Sequence, residues 1–205
     1  MLKEIRTKDN SITYYNKEFN ETYHSISGAL EEARKKHVIP SNILELTKNQ
    51  NQITILDICY GLGYNSLIAI HEIKNVNPKC DIRIIALEND VEILKVKPEV
   101  PQELQQEYQN IQKNITLIVG DARKTIREIQ EKIDAVFFDP FSPKKCPELW
   151  TKEFFKDIYK VMRKDTILTT YSCARGVRDN LKAAGFQIID GPCVGRRAPS
   201  TIAIK

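Results

Sequence analysis

Short apolar runs alternate along this chain with longer stretches in which apolar side chains recur every three or four positions. Ile53–Ile58, Asp81–Glu88, Ile115–Val119, Ala135–Asp139 and Ile167–Tyr171 are β-branched or aromatic runs of strand length. Between them, helical spacing predicts helices over Asn65–Lys74 (Leu67, Ile68, Ile70, Ile73) and through Ile126 and Ile129. It predicts two more, one around Phe154, Ile158, Tyr159, Val161 and Met162, and one over Arg175–Ala184 with Gly185 as its C′ residue. Residues 90–112 are broken by Pro98 and Pro101, which predicts two helices or a helix and a loop. Ile26, Leu30 and Ala33 mark a short helix over Ser25–His37, stopped at Pro40. Residues 1–24, polar with scattered aromatics, read as an arm or short strands, and Phe186–Ile189 and Thr201–Ile204 as two short strands around the loop Asp190–Ser200.

Strand–helix alternation followed by a strand pair without a helix predicts an α/β fold. Its parallel sheet has helices on both faces and a C-terminal antiparallel hairpin. The continuous run Ala135-Val136-Phe137-Phe138 suits a strand buried on both faces. A length of 205 residues, 41% hydrophobic and 28% charged, predicts one domain over 1–205. Within it, residues 1–50 form an N-terminal arm and helix, a candidate lid, and residues 51–205 a Rossmann-like core.

No apolar run reaches membrane-spanning length and the N-terminus has no signal-peptide core, so a cytoplasmic protein without a membrane partner is expected. Cys59, Cys80, Cys146, Cys173 and Cys193 form no C-x-x-C pair, and His24, His37 and His71 are scattered, so no disulfide framework and no metal site is expected. The net charge of +4 is unevenly spread: residues 140–205 carry 13 Lys and Arg against 6 Asp and Glu. That asymmetry points to a basic face suited to nucleic acid or to a solvated lysine surface.

The chemistry centres on Asp57-Ile58-Cys59-Tyr60-Gly61-Leu62-Gly63-Tyr64-Asn65, a glycine turn between a predicted strand and a predicted helix. Gly61 and Gly63 let the backbone pass close to a ligand. The third glycine of a dinucleotide fingerprint is missing. The loop resembles the acidic-x-Gly-x-Gly-x-Gly turn of S-adenosylmethionine-dependent methyltransferases, with Cys59 at the first glycine. Ligands of open α/β sheets bind beyond the strand carboxyl ends, so the acids there are candidates. Asp57 is placed to hold a ligand ammonium. Glu88, followed by Asn89, is placed to accept from both ribose hydroxyls. Asp121 is placed to accept from an adenine amino group beside the Ala122 N–H, or to cap a helix. Three acids at three strand ends suit a neutral-to-cationic adenosyl ligand and repel a pyrophosphate.

The fourth strand ends in Asp139-Pro140-Phe141-Ser142-Pro143, which resembles the Asp-Pro-Pro-Tyr element of nitrogen methyltransferases. Asp139 is positioned to orient an amine acceptor beside the cofactor and to take its proton, with burial raising its pKa toward that of a useful base. Phe141 is positioned to stack on a planar acceptor base. A rigid turn with a self-capping Asp is the plain alternative.

Residues Asp139–Thr151 (Asp-Pro-Phe-Ser-Pro-Lys-Lys-Cys-Pro-Glu-Leu-Trp-Thr) are similar to a characteristic element of the MnmC-type tRNA methyltransferases. The likeness continues through Leu168–Arg178, Leu181–Phe186 and Gly191–Arg197, and upstream through Tyr23-His24-Ser25 and Gly28–Ala33. The resemblance implies a class I S-adenosyl-L-methionine-dependent fold and methyl transfer to the aminomethyl nitrogen of a wobble uridine, 5-aminomethyl(-2-thio)uridine, in tRNA. It implies Asp139 as the active-site aspartate, Glu88 and Asp121 as cofactor contacts, and an upstream enzyme that supplies the aminomethyl uridine. It resembles the stand-alone form without the FAD oxidase domain. Cys59 and Cys146 depart from the residues common at their positions.

Tyr23 and His24 are candidates for closing over the cofactor, and Trp150 for a packing anchor. Lys144 and Lys145, with Arg175, Arg196 and Arg197, are the candidate contacts to RNA phosphate. Two rival readings are an aminopropyltransferase-like enzyme, which requires an acidic groove for its polyamine, and a non-catalytic RNA-binding module on the same fold.

Overall fold

The computed structural model describes residues 2–205. Strands β1 (Lys3–Arg6), β2 (Ile12–Asn16) and β3 (Glu21–Thr22) form a small antiparallel sheet. Helix α1 (Ala29–Glu32) runs into a π-helical turn over Ala33–Val38 and a 3₁₀ turn over Ile39–Ser41, and α2 (Ile43–Asn49) follows. Then come β4 (Gln52–Ile58), α3 (Tyr64–Val76), β5 (Asp81–Glu88), α4 (Gln105–Asn110), β6 (Ile115–Val119), α5 (Ala122–Thr125) and β7 (Ile133–Phe138). The chain continues with α6 (Lys152–Val161), β8 (Met162–Thr170), α7 (Arg175–Ala184), β9 (Gln187–Asp190) and β10 (Thr201–Ile204).

The main sheet has the order β6-β5-β4-β7-β8-β10-β9. Its first five strands are parallel, and β10 lies antiparallel between β8 and β9. Strand order reverses at β4, which pairs with β5 on one side and β7 on the other. The two-residue period of the strands sorts the core into two layers. Ile53 and Ile55 of β4 and Ala135 and Phe137 of β7 pack with α3 on one face. Leu56, Ile58, Val136 and Phe138 pack with Trp150, Phe155, Ile158 and Leu181 on the other. Trp150 is 3% exposed and stands edge-on to Phe138 and Tyr171, so it anchors this second layer.

Four expectations need correction, the first being that Met162, expected in the helix with Val161, instead opens β8. The helix predicted over Ser25–His37 begins only at Ala29, and Ile26 is exposed outside it. The π-helical turn does end at Val38, just before Pro40, but a 3₁₀ turn over Ile39–Ser41 and then α2 follow, and α2 was not foreseen. The helix through Ile126 and Ile129 is one α turn and one 3₁₀ turn, with Ile129 already extended.

The small sheet is stitched to the core by Tyr64, whose hydroxyl donates to Ile12 O (2.9 Å) and accepts from Ile12 N (3.2 Å). Gly63, the residue before α3, has φ +78°, and a Cβ there would lie 2.3 Å from Tyr60 Oη. Gly63→Ala is therefore expected to lower unfolding free energy by about 1–2 kcal/mol from backbone strain alone, read from urea denaturation.

Asp57 lies on the α3 face of β4 with no exposed surface. Burial, opposed only in part by the Ser66 hydroxyl donating at 2.6 Å, pushes its carboxyl up to about 7. Its folded-state pKa thus lies above the unfolded value near 3.9. The stability it contributes is fully present below about pH 4 and is lost as pH rises through about 7. Asp57→Asn, which keeps an acceptor for Ser66, should flatten the fall in unfolding free energy between pH 4 and 7. Parallel pH profiles for wild type and variant would count against this assignment.

Candidate active site

The carboxyl ends of β4, β5 and β7 open beneath the N-terminal sheet into a cavity of about 620 Å³. The glycine loop reaches it through Cys59, with φ +64°, and Gly61, with φ +54°. Main-chain bonds hold the loop against its neighbours: Cys59 N donates to Leu87 O at 2.9 Å, and Asp139 N to Ile58 O at 3.2 Å. The glycine loop and the Asp139 loop are thereby fixed side by side.

Glu88 ends β5 at the cavity wall, 6% exposed. Its Oε2 accepts from Gly61 N (2.8 Å) and its Oε1 from Asn89 N and Asp90 N (2.8 Å each). Burial raises its pKa, and these three N–H groups partly offset that. A carboxylate offers about four acceptor directions, so roughly one remains for a ligand hydroxyl. The expectation that Glu88 serves both ribose hydroxyls is corrected to one further bond. Asn89 also lines the cavity, as does Asp90, which the sequence reading passed over. Asp90 takes the Tyr23 hydroxyl and the Asn16 amide (3.3 Å), and so holds Tyr23 over Gly61. Burial, aided by the acidic partner, pushes the Tyr23 phenol well up, so it stays a donor.

Asp57 and Asp121 do not line the cavity. Asp57 is sealed beneath the loop, so its expected contact with a ligand ammonium is not met. Asp121 caps α5: it accepts from Arg123 N at 3.0 Å and grips the Arg123 guanidinium with both oxygens. The Arg123 side chain holds its pKa below the usual range. Asp121 thus serves as a helix cap, as the sequence also allowed, and Ala122 beside it is buried.

Asp139 sits in the wall with Oδ2 3.1 Å from Asn65 Nδ2 and 3.6 Å from His37 Nε2. Burial alone would raise its carboxyl, but the His37 imidazole and the Asn65 amide more than cancel this and hold it at about 2. The expectation of a raised, base-like Asp139 is therefore reversed. Asn65 bonds to this carboxylate and is not itself on the wall. Phe141 is a wall residue, but Phe19 stacks on its ring (centroids 4.5 Å apart, planes 19°) and Tyr23 tilts against it at 5.1 Å. One face expected to meet an acceptor base is thus occupied by Phe19. The loop is braced by Trp150 Nε1 donating to Phe141 O (2.9 Å), by Cys146 Sγ donating to the same oxygen, and by Tyr171 Oη donating to Pro140 O (3.1 Å).

From above, Glu21 of β3 accepts from Ser142 N (2.9 Å) and from the Ser142 hydroxyl. His24 also lines the cavity, with its Nε2 buried and without a partner. Burial pushes the pKa of that imidazole down. Lys36, 5% exposed, pairs with Glu32 in the same wall. Of the predicted phosphate contacts, Lys144 and Lys145 are exposed, in the segment between the wall residues Ser142 and Cys146. Arg196 lines the cavity, is exposed, and donates through Nη2 to the Tyr171 and Pro199 carbonyls. Arg197 is exposed, and Arg175 lies on the outer surface of α7 beside Asp179 (3.7 Å). Among the described residues, no group of three His, Cys, Asp or Glu is arranged to hold a metal ion, and no helix is long and apolar enough to cross a membrane.

Residues 89–205 match the model of a family described as S-adenosyl-L-methionine-dependent methyltransferase. An uncharacterised protein of Methanocaldococcus jannaschii is 35% identical over 98% of this chain and 59% of its own length. The tRNA 5-methylaminomethyl-2-thiouridine biosynthesis bifunctional protein MnmC of Leptospira interrogans is 29% identical over 93% of this chain, which spans only 33% of that protein. The crystal structure of MnmC2 from Aquifex aeolicus superposes with a TM-score of 0.93 at 35% identity, covering 100% of this chain and 70% of that one. The seven-stranded sheet with its inserted last strand, the glycine loop at the switch point and these likenesses agree. The chain belongs to the family of S-adenosyl-L-methionine-dependent methyltransferases, is related to the methyltransferase portion of MnmC, and has S-adenosyl-L-methionine as its cofactor.

Proposed function

We propose that the protein methylates the aminomethyl nitrogen of 5-aminomethyl(-2-thio)uridine at the wobble position of tRNA. The observation that carries this reading is an acid-walled chamber with lysines beside it. Glu21, Glu32, Glu88, Asp90, Asp139 and Glu148 line the cavity against Lys36 and Arg196. Such walls favour a small cation and reject phosphate. Lys144 and Lys145, exposed next to the wall, favour a polyanion outside. An alkylammonium carried on a nucleic acid meets both conditions. The kinship with MnmC, named for biosynthesis of a methylaminomethyl nucleoside in tRNA, supports the same acceptor.

The residues present fit S-adenosylmethionine. Gly61 keeps the loop backbone bare beside Tyr23, and Glu88 on the same wall retains one acceptor direction, whereas Gly63 lies off the wall and turns the loop against Tyr60. Gly61, Glu88, Asn89 and Tyr23 would hold it, and when bound it supplies a methyl group already activated on a sulfonium. The chain's own task is then to place a nitrogen lone pair in line with that methyl. Asp139 does this as a fixed anion that orients the acceptor and favours positive charge growing on nitrogen. With its carboxyl at about 2, it is no proton acceptor near neutral pH. The reacting species is the free amine, whose share grows with pH up to a pKa of roughly 10 for an alkylamine. The segment before residue 50 roofs the chamber through Glu21, Tyr23 and His24.

The acid walls also suit a free polyamine, so the aminopropyl-transfer rival stays in the test. Nucleosides should be analysed by mass spectrometry after incubating the protein and S-adenosylmethionine with tRNA from cells that accumulate the aminomethyl form. One methyl gained on that uridine is expected, with a rate that climbs from pH 6 to 8. A tRNA left unchanged by protein that binds the cofactor would refute the acceptor. Turnover of putrescine or spermidine with decarboxylated cofactor would replace it, and tRNA binding without any cofactor binding would point to the non-catalytic module.

Asp139→Asn should cut turnover by about 10²–10³-fold while leaving cofactor affinity, measured by calorimetry, within about threefold. Glu88→Gln should do the reverse, weakening the cofactor by about tenfold through loss of a charge-assisted bond. Equal losses of both quantities in Asp139→Asn would make it a binding or structural residue.

A further inference from the structure

His37 is 1% exposed on the π-helical turn Ala33–Val38, and beyond its charge effect on Asp139 it has been given no part in the transfer. Its Nδ1 lies 3.2 Å from Thr169 Oγ1 and its Nε2 3.6 Å from Asp139 Oδ2. The Thr169 hydroxyl donates to Val136 O at 3.4 Å, which leaves its oxygen to accept from the His37 Nδ1–H. With that proton fixed, Nε2 faces a carboxylate oxygen that already takes the Asn65 amide at 3.1 Å. At 3.6 Å the Nε2–Oδ2 contact is an ion-pair distance, longer than a hydrogen bond, and it is attractive only when Nε2 carries a proton.

We propose that His37 is a positioning residue for methyl transfer: backed by Thr169, its protonated ring stands at ion-pair distance from Asp139 and keeps that carboxylate an oriented anion facing the acceptor nitrogen. The inference rests on the role given to Asp139 above. The charged and titratable groups facing the pair are Asp57 from β4, His24 from the roof, Cys59 from the glycine loop and Tyr171 after β8. Burial pushes Asp57, Cys59 and Tyr171 up and His24 down, in each case toward the uncharged form. The counter-charge that keeps Asp139 ionised falls to His37, consistent with the depressed carboxyl there. The imidazole also meets the Phe137 ring at a steep angle, with centroids 5.9 Å apart and planes at 69°, in a site closed to solvent.

The test is NMR of the free protein, with ¹⁵N-histidine and ¹³C-aspartate labels and Asp139→Asn for assignment. Wild type should show protons on both His37 ring nitrogens, protected from exchange, and an Asp139 carboxyl ionised throughout pH 4–8. In His37→Leu the Asp139 titration should move up by at least about two units, a hundredfold in proton affinity. Methylation at pH 6 should fall at least about tenfold and recover toward pH 9, with cofactor affinity unchanged. His37→Gln, which keeps a donor, should restore part of the rate. A folded His37→Leu protein with Asp139 titrating as in wild type would overturn the proposal. If that variant does not fold, an unprotonated Nε2 in wild type overturns it just as well. Neither measurement needs an acceptor: the expected spectra with no methylated tRNA would strike only the proposed substrate.

Discussion

The parallel pairing of β4 with β7 is the constraint on which the site depends. It sets Asp57 opposite Phe137 and Ile58 opposite Phe138, and so brings the glycine loop and the Asp139 loop out at the same level. The Asp139 N–H then continues the ladder for one more bond, to Ile58 O. Neither loop is regular, yet each leaves a strand whose position is fixed by both core layers. The crevice at the reversal of strand order is therefore rigid on its floor. Its roof is held by a few polar bonds, Glu21 to Ser142 and Tyr23 to Asp90.

Concentrating carboxylates at one end of a sheet has a cost, and the protein meets it in three ways. Some acids are saturated by main-chain N–H groups, as Glu88 is. Some are paired with a buried cation or imidazole, as Glu32 is with Lys36 and Asp139 with His37. Asp57 has a single hydrogen bond and one unpartnered oxygen, and its carboxyl rises accordingly. What remains is a chamber whose walls carry more acids than bases.

Most of the sheet was legible in the sequence because its strands are continuous β-branched runs flanked by turn residues. The bounds of β5, β6 and β10 agree with those runs residue by residue. The glycine loop and Asp139 were legible for the same local reason, since each lies at the end of such a run. What could not be read locally was the pairing. Nothing near Asp121 says that Arg123 will occupy it, and nothing near Phe141 says that Phe19 will cover its ring. Asp139 was expected to be basic because burial was foreseen, whereas His37 arrives from a helical turn far upstream. Summed charge misled in a related way: the basic C-terminal third lines much of a chamber whose walls are acidic. Asp90, two residues beyond Glu88, and Glu32, within the quoted Gly28–Ala33 segment, were the wall residues with a local signal to find them.

The roof is built from residues that meet their partners only across long spans of chain. Ile12 waits for Tyr64, Tyr23 for Asp90 and Glu21 for Ser142. The strands of the small sheet pair locally with one another, β1 with β2 and β2 with β3, but the bonds that join this sheet to the floor close loops of about fifty residues or more. Contacts of such separation carry the larger loop-closure cost, so the roof is the part of the site with the least local support.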